Sequence, residues 1–280
     1  MQVGSAAWRF RQTGRPWLQG MGGGAVLLWQ ADSVVLIRVL DVKARAVTSL
    51  AFSPDGSRLA SGMADNNIRL WQAEWGAKLR VLMGHELRIR SVAFSPDGRI
   101  LASAASDNTV RLWQANAGNE SMILHGHKEP VTSVAFSPDG RILASGAIDG
   151  TVRLWQPDSG APLRLLHVHE CLLYSVAFSP DGRMLASGAG DGTVRLWQPD
   201  SGTALRVLQG HGYSVNGIAF SPDGRMLASC ASDHTVRLWQ PDSGATLRVL
   251  QGHERSIESI AFSPDGHMLA SGALDGTVRL

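Results

Sequence analysis

Cysteine is nearly missing from this chain: its 280 residues include two, Cys171 and Cys230. They fall at different places in the repeat described below, and neither belongs to a C-x-x-C pair. A disulfide framework is therefore not expected, and the pair fits a reducing, cytoplasmic setting. Charge of one sign is also lacking. Lys and Arg number 26 against 24 Asp and Glu, for a net charge of +2. The basic residues recur around the array, as at Arg111, Arg153, Arg195 and Arg237, instead of gathering in one patch, so nucleic acid is not favoured as a partner. No stretch approaches the roughly 18–20 uninterrupted apolar residues of a membrane helix, and no membrane partner is expected. Helix-favouring patterns are scarce, although 44% of the residues are hydrophobic, enough for a packed interior.

What the chain has instead is a period. Trp29, Trp71, Trp113, Trp155, Trp197 and Trp239 follow one another at steps of 42 residues without insertion or deletion. Phe52 to Phe262 and Asp65 to Asp275 keep the same step. Periods of roughly 40–45 residues belong to stacked supersecondary units, each unable to bury its apolar face alone. The ruler also settles one ambiguity. Arg9, Arg11 and Arg15 before the apolar run 22–29 have the outline of an export signal. Yet Phe10, Gly14, Gly20, Gly24, Val26, Leu28, Trp29 and Gln30 land on counterparts in later units, a register that a leader has no reason to keep.

One unit reads as four short strands. Residues 131–136 (VTSVAF) alternate apolar and small side chains, the periodicity of a strand. Ser137-Pro138-Asp139-Gly140 has the composition of a tight reversal, with proline fixing its own φ. Residues 141–147 form a second strand, turned by Ile148-Asp149-Gly150, and 151–155 (TVRLW) a third. A turn at 156–160 leads to a fourth strand at 163–166. Such a meander is too small to stand alone and needs neighbours on both faces.

Gly-His, Ser-Pro-Asp-Gly, Leu-Ala-Ser-Gly and Asp-Gly-Thr-Val-Arg-Leu-Trp in fixed register make the chain resemble the WD-repeat family, in particular bacterial arrays of near-identical repeats. The likeness covers essentially the whole chain. One departure is uniform: the family's Trp-Asp is Trp-Gln in all six copies. The resemblance implies an all-β fold, a seven-bladed β-propeller of four-stranded antiparallel blades. It would form one domain over 1–280, with units at about 1–40, 41–82, 83–124, 125–166, 167–208, 209–250 and 251–280. The first blade is expected to be degenerate and the last truncated, with an open edge available for self-association.

His, Ser and Asp recur together, which invites comparison with a hydrolase triad. A triad occurs once per site beside an oxyanion hole, whereas this set occurs five times with its Ser in mid-strand. The resemblance implies a structural network instead, joining each trio to the Trp indole. Its members are His85, Ser103, Asp107 and Trp113; His127, Ser145, Asp149 and Trp155; His169, Ser187, Asp191 and Trp197; and His211, Ser229, Asp233 and Trp239. No catalytic residue, cofactor or metal site is expected. His125-x-His127 and His167-x-His169 lack a recurring third ligand. Lys43 replaces the His in the second unit, and Gln19 and Gly23 replace Ser and Asp in the first, so the N-terminal blade should be the loosest.

Where the copies differ is the remaining signal. The Ser-Pro-Asp-Gly turn is identical six times, while the segment after each His and the residue before each network Asp vary. A meander puts these variable loops at one end of the sheet. Carried onto a propeller they form a rim bearing Arg88, Arg90, Lys128, Leu172, Tyr174, Tyr213, Asn216, Glu254 and Glu258. Mixed charge with an aromatic anchor suits a protein or peptide surface. The expected function is a non-enzymatic binding scaffold, standing alone or as the recognition domain of a larger signalling or effector protein. A nucleic-acid binder would need a contiguous basic face, and a propeller-mouth enzyme an unrepeated acid or His cluster.

Overall fold

In the computed structural model the described residues are 8–10, 16–20, 25–30, 35–41, 46–74 and 76–280. Strands, turns and loops are the only elements among them. The blades are identified below by their tryptophans. In the Trp155 blade the strands Val131–Phe136, Leu143–Ala147, Thr151–Trp155 and Pro162–His167 lie side by side in chain order, all antiparallel.

The invariant turn explains why the first hairpin forms so regularly. The Ser137 hydroxyl donates to Asp139 Oδ1 at 2.6 Å, and the amides of Arg141 and Ile142 donate to Asp139 Oδ1 and Ser137 Oγ at 3.0 and 2.9 Å. Gly140 sits at φ 72°, left-handed space that a glycine enters without cost. In the second turn a Cβ on Gly150, at φ 74°, would lie 2.2 Å from the carbonyl oxygen of His169. Here the backbone of one blade meets the next, and a side chain has no room.

The first strand of each blade lines the axis. Trp8–Phe10, Val47–Phe52, Ile89–Phe94, Val131–Phe136, Leu173–Phe178, Val215–Phe220 and Ile257–Phe262 each lie against the next, and Trp8–Phe10 also touches Ile257–Phe262. The array is thus a closed ring. Between blades the core is continuous: Val110, Leu112 and Leu124 of the Trp113 blade pack on Val131, Val134, Leu143 and Trp155 of its neighbour. Each such side chain stabilises the ring by about 1.5–3 kcal/mol through its burial. Inner-strand serines add polar links. The amides of Val92, Val134 and Val176 donate to Ser49, Ser91 and Ser133 of the preceding blade at 3.1, 3.3 and 3.1 Å.

The blade count corrects the expectation of a seven-bladed propeller of four-stranded blades. Six sheets have four strands, one for each tryptophan of the period, and the remaining sheet, Ile257–Phe262, Leu269–Ala273 and Val278–Arg279, has three. The physical reason is local: Val278–Arg279 is only two residues long and pairs with Leu269–Ala273 through those two residues alone. Lys43 and Gly23, and the side chain of Gln19, lie outside the described residues.

Candidate binding face at the channel mouth

Each blade carries a polar chain from its interior to one end of the ring. In the Trp113 blade the indole N–H donates to Ser103 Oγ at 2.8 Å, Ser103 Oγ lies 2.8 Å from His85 Nε2, and His85 Nδ1 lies 2.8 Å from Asp107 Oδ2. A neutral imidazole satisfies all three bonds if its proton is on Nδ1 and the serine donates to Nε2. Thr109 Oγ1 and the amide of Glu86 also donate to Asp107, at 2.7 and 3.0 Å. Burial alone would raise the Asp107 carboxyl, but these donors hold it well below the usual range. The same contacts recur around Trp155 and Trp239. His127 Nε2 is 2.8 Å from Ser145, while its Nδ1 is 3.5 Å from Asp149. His211 bonds Ser229 and Asp233 at 2.8 and 2.9 Å. Burial pushes the imidazoles of His127, His169 and His211 down, favouring their neutral forms. In the Trp71 blade Trp71 still donates to Ser61 at 2.9 Å, but Asp65 pairs with Arg69 at 2.8 Å.

The Trp197 blade is the exception. Its His169–Asp191, His169–Ser187 and Trp197–Ser187 separations are 3.1, 3.1 and 3.2 Å. Elsewhere a glycine precedes the network His because the third-strand arginine packs there. A Cβ on Gly126 would stand 2.9 Å from the Arg153 guanidinium carbon, which lies 5.9 Å from the Trp155 ring centre. Val168 takes that glycine's place here, and Arg195 reaches Asp191 at 3.6 Å. The ligand-capable atoms of His169, Cys171 and Asp191 lie within 4.8 Å of one another. Two of the three already bond each other, and burial raises the Cys171 thiol. His125 and His167 are exposed. The Arg–Trp packing was not foreseen from the sequence, although the Gly before four of the five network histidines and the Arg two residues before five of the six tryptophans carried its signal.

At the end of the ring reached by the network aspartates, the sequence-selected rim residues divide into two groups. Arg90, Tyr174, Asn216 and Glu258 line a cavity of about 860 Å³ on the axis, together with Thr48 and Thr132. These six positions are spaced by 42 residues, and no two neighbours in the ring are alike. Each one is the extra residue of a β-bulge in its inner strand. The ladder passes directly from Val131 to Ser133, Leu173 to Ser175, Val215 to Gly217 and Ile257 to Ser259. Val47 to Ser49 and Ile89 to Ser91 do the same, which leaves Thr48 and Arg90 unpaired in the ladder. A bulge re-aims its side chain out of the sheet alternation, here towards the channel. Arg88, Lys128, Leu172, Tyr213 and Glu254 are exposed on the flanking loops and do not line the cavity, with Tyr213 67% accessible. At the other mouth Phe52, Phe94 and Phe136 with Pro54, Pro96 and Pro138 surround a second cavity of about 500 Å³.

Hydrogen bonding separates the ring residues further. Thr48 donates to the carbonyl of Gly62 at 2.9 Å, and the single proton of Thr132 is shared between the carbonyls of Gly146 and Leu173, each 2.9 Å from its Oγ1. Asn216 Nδ2 lies 3.0 Å from the Ile257 carbonyl and 3.5 Å from Glu258 Oε1. Arg90 donates from Nε to Ser106 Oγ at 2.8 Å, and Glu258 accepts from Ser256 Oγ at 2.6 Å.

Comparison with known families agrees with this architecture. The family described as "IFT122 first beta-propeller" matches residues 46–165, and "WD domain, G-beta repeat" matches 160–198, 202–240 and 244–280. The chain belongs to the WD-repeat β-propeller family. No curated protein matches it. Propellers of this family generally serve as protein-interaction scaffolds.

Proposed function

We propose that this propeller binds a protein or peptide through the variable mouth and its flanking loops, without chemistry of its own. One observation carries the reading: the six bulge positions that face the channel are among those where near-identical repeats diverge. A scaffold whose copies keep their turns and networks but differ at the ring presents an unsymmetrical surface on a nearly symmetrical frame. The flanking loops add exposed Leu172 and Tyr213, apolar and aromatic anchors of the kind that dominate protein interfaces. The histidines and serines are each committed to buried bonds, so they support a structural role. Two free cysteines, Cys230 buried and Cys171 partly so, support placement in the cytoplasm.

The test compares the two ends of one blade. Immobilised wild-type protein, Tyr174→Ala and Arg183→Ala are exposed to native lysate. Arg183 lies at the opposite mouth with an 87% accessible side chain. Partners retained by wild type should be lost with Tyr174→Ala and kept with Arg183→Ala. Loss with Arg183→Ala alone, or equally with both, would reject the variable mouth as the binding face.

A further inference from the structure

Two opposite charges face the axial cavity without an ionic partner. Arg90 and Glu258 form no salt bridge among the described residues. Their inner strands are separated in the ring by three strands on one side and two on the other, so they stand on nearly opposite walls. Each is fixed in place from behind. Ser106 holds Arg90 by Nε, leaving the two terminal nitrogens of the guanidinium edge for a ligand. Ser256 holds one oxygen of Glu258 and leaves the other. Both side chains are half-buried, and burial with the nearby Arg88 charge disfavours the Arg90 cation. The remaining ring side chains are neutral. Tyr174 lines the same cavity and stands between them in the ring order. The cavity is of the size that holds a small ligand or a few residues of a peptide.

We propose that the channel mouth receives a bipolar peptide segment, one acidic side chain meeting Arg90 and one basic side chain meeting Glu258, with Tyr174 between them. This rests on the mouth being the binding face and specifies the chemistry it selects. Partial burial shields both pairs from the screening that weakens exposed charges, and a carboxylate can bond the free guanidinium edge in the bidentate manner. A segment with one sign of charge gains one contact and meets repulsion at the other wall. Discrimination thus arises from rejection as well as attraction.

Calorimetric titration with end-capped synthetic peptides tests this. The probes are acetyl-Gly-Asp-Gly-Lys-Gly-amide, a series with progressively more glycines between Asp and Lys, and controls with Asn for Asp or Gln for Lys. At the best spacing the bipolar peptide should bind at least about tenfold more tightly than either control, a difference of about 1.4 kcal/mol. Arg90→Glu and Glu258→Arg should each abolish that preference. The double variant Arg90→Glu/Glu258→Arg, which exchanges the two charges, should restore it to within about threefold, because a short capped peptide can lie in either direction. Thermal melting of each variant separates loss of binding from loss of fold. Equal binding of bipolar and control peptides, absence of binding by the whole series, or a double variant as weak as the single ones would each overturn the proposal. If the lysate partners still depend on Tyr174 under those results, the binding face stands and only its bipolar chemistry fails.

Discussion

Gly217 shows how a single position is read in three dimensions. Its counterparts Ser49, Ser91 and Ser133 accept a hydrogen bond from a backbone N–H of the next blade, but a Cβ on Gly217 would lie 2.9 Å from Cys230 Sγ. Cys230, fully buried, occupies a place that is Gly62, Gly146, Gly188 and Gly272 in other blades. The two departures therefore compensate each other across the sheet. Gly217→Ser alone should destabilise by about 1–3 kcal/mol through overpacking. Gly217→Ser/Cys230→Gly should recover at least that loss, since the new hydroxyl would approach the Ile260 amide, which lies 3.6 Å from where a Cβ on residue 217 would stand. Urea denaturation of the four proteins gives the coupling directly; additive losses would mean that the two sites are independent. The sequence shows both departures, but only the register, which sets Gly217 opposite Cys230, reveals that they belong together.

At the scale of the blade the polar chain is the unit. His127→Ala should leave buried Ser145 short of a partner and cost about 1–3 kcal/mol. An unchanged denaturation midpoint would deny the chain its structural role. The chain also sets a pH response. Folding lowers the affinity of His127, His169 and His211 for protons from the ordinary value of 6.5, and that of Asp149, Asp191 and Asp233 from 3.8. In both sets the unfolded chain binds protons more readily, so stability is fully present above the unfolded values and falls as pH drops towards the folded ones. The melting temperature should be level above about pH 7, begin to decline below about 6.5 as the histidines respond, and fall more steeply below about 4. A melting temperature unchanged between pH 7 and 5 would show that the histidines are not held neutral. The strands, turns and members of this chain were legible because each recurs at a fixed step. The different placement of Arg195 beside Val168 was not, since a glycine-to-valine change matters only through the arginine that packs there in other blades.

At the scale of the whole molecule, periodicity revealed the units but not what each side chain faces. The variable positions split into a channel set and a loop set only because a β-bulge in six of the inner strands turns one residue towards the axis. Ordinary alternation would place Thr132 or Arg90 within the sheet's own pattern, so sequence reading grouped Arg90, Tyr174, Asn216 and Glu258 with Arg88 and Tyr213 and overlooked Thr48 and Thr132. The expectation of a seven-bladed propeller of four-stranded blades likewise gives way to six four-stranded sheets and a last one of three strands. We propose that this nearly symmetrical frame presents one unsymmetrical face for binding. Site-specific photo-crosslinking tests it most directly, with a benzoylphenylalanine placed in turn at 174, 213 and 183 and each protein irradiated in native lysate. A shared crosslinked partner is expected from 174 and 213 and none from 183. The same partner captured from 183 as strongly as from 174, or from 183 alone, would contradict it.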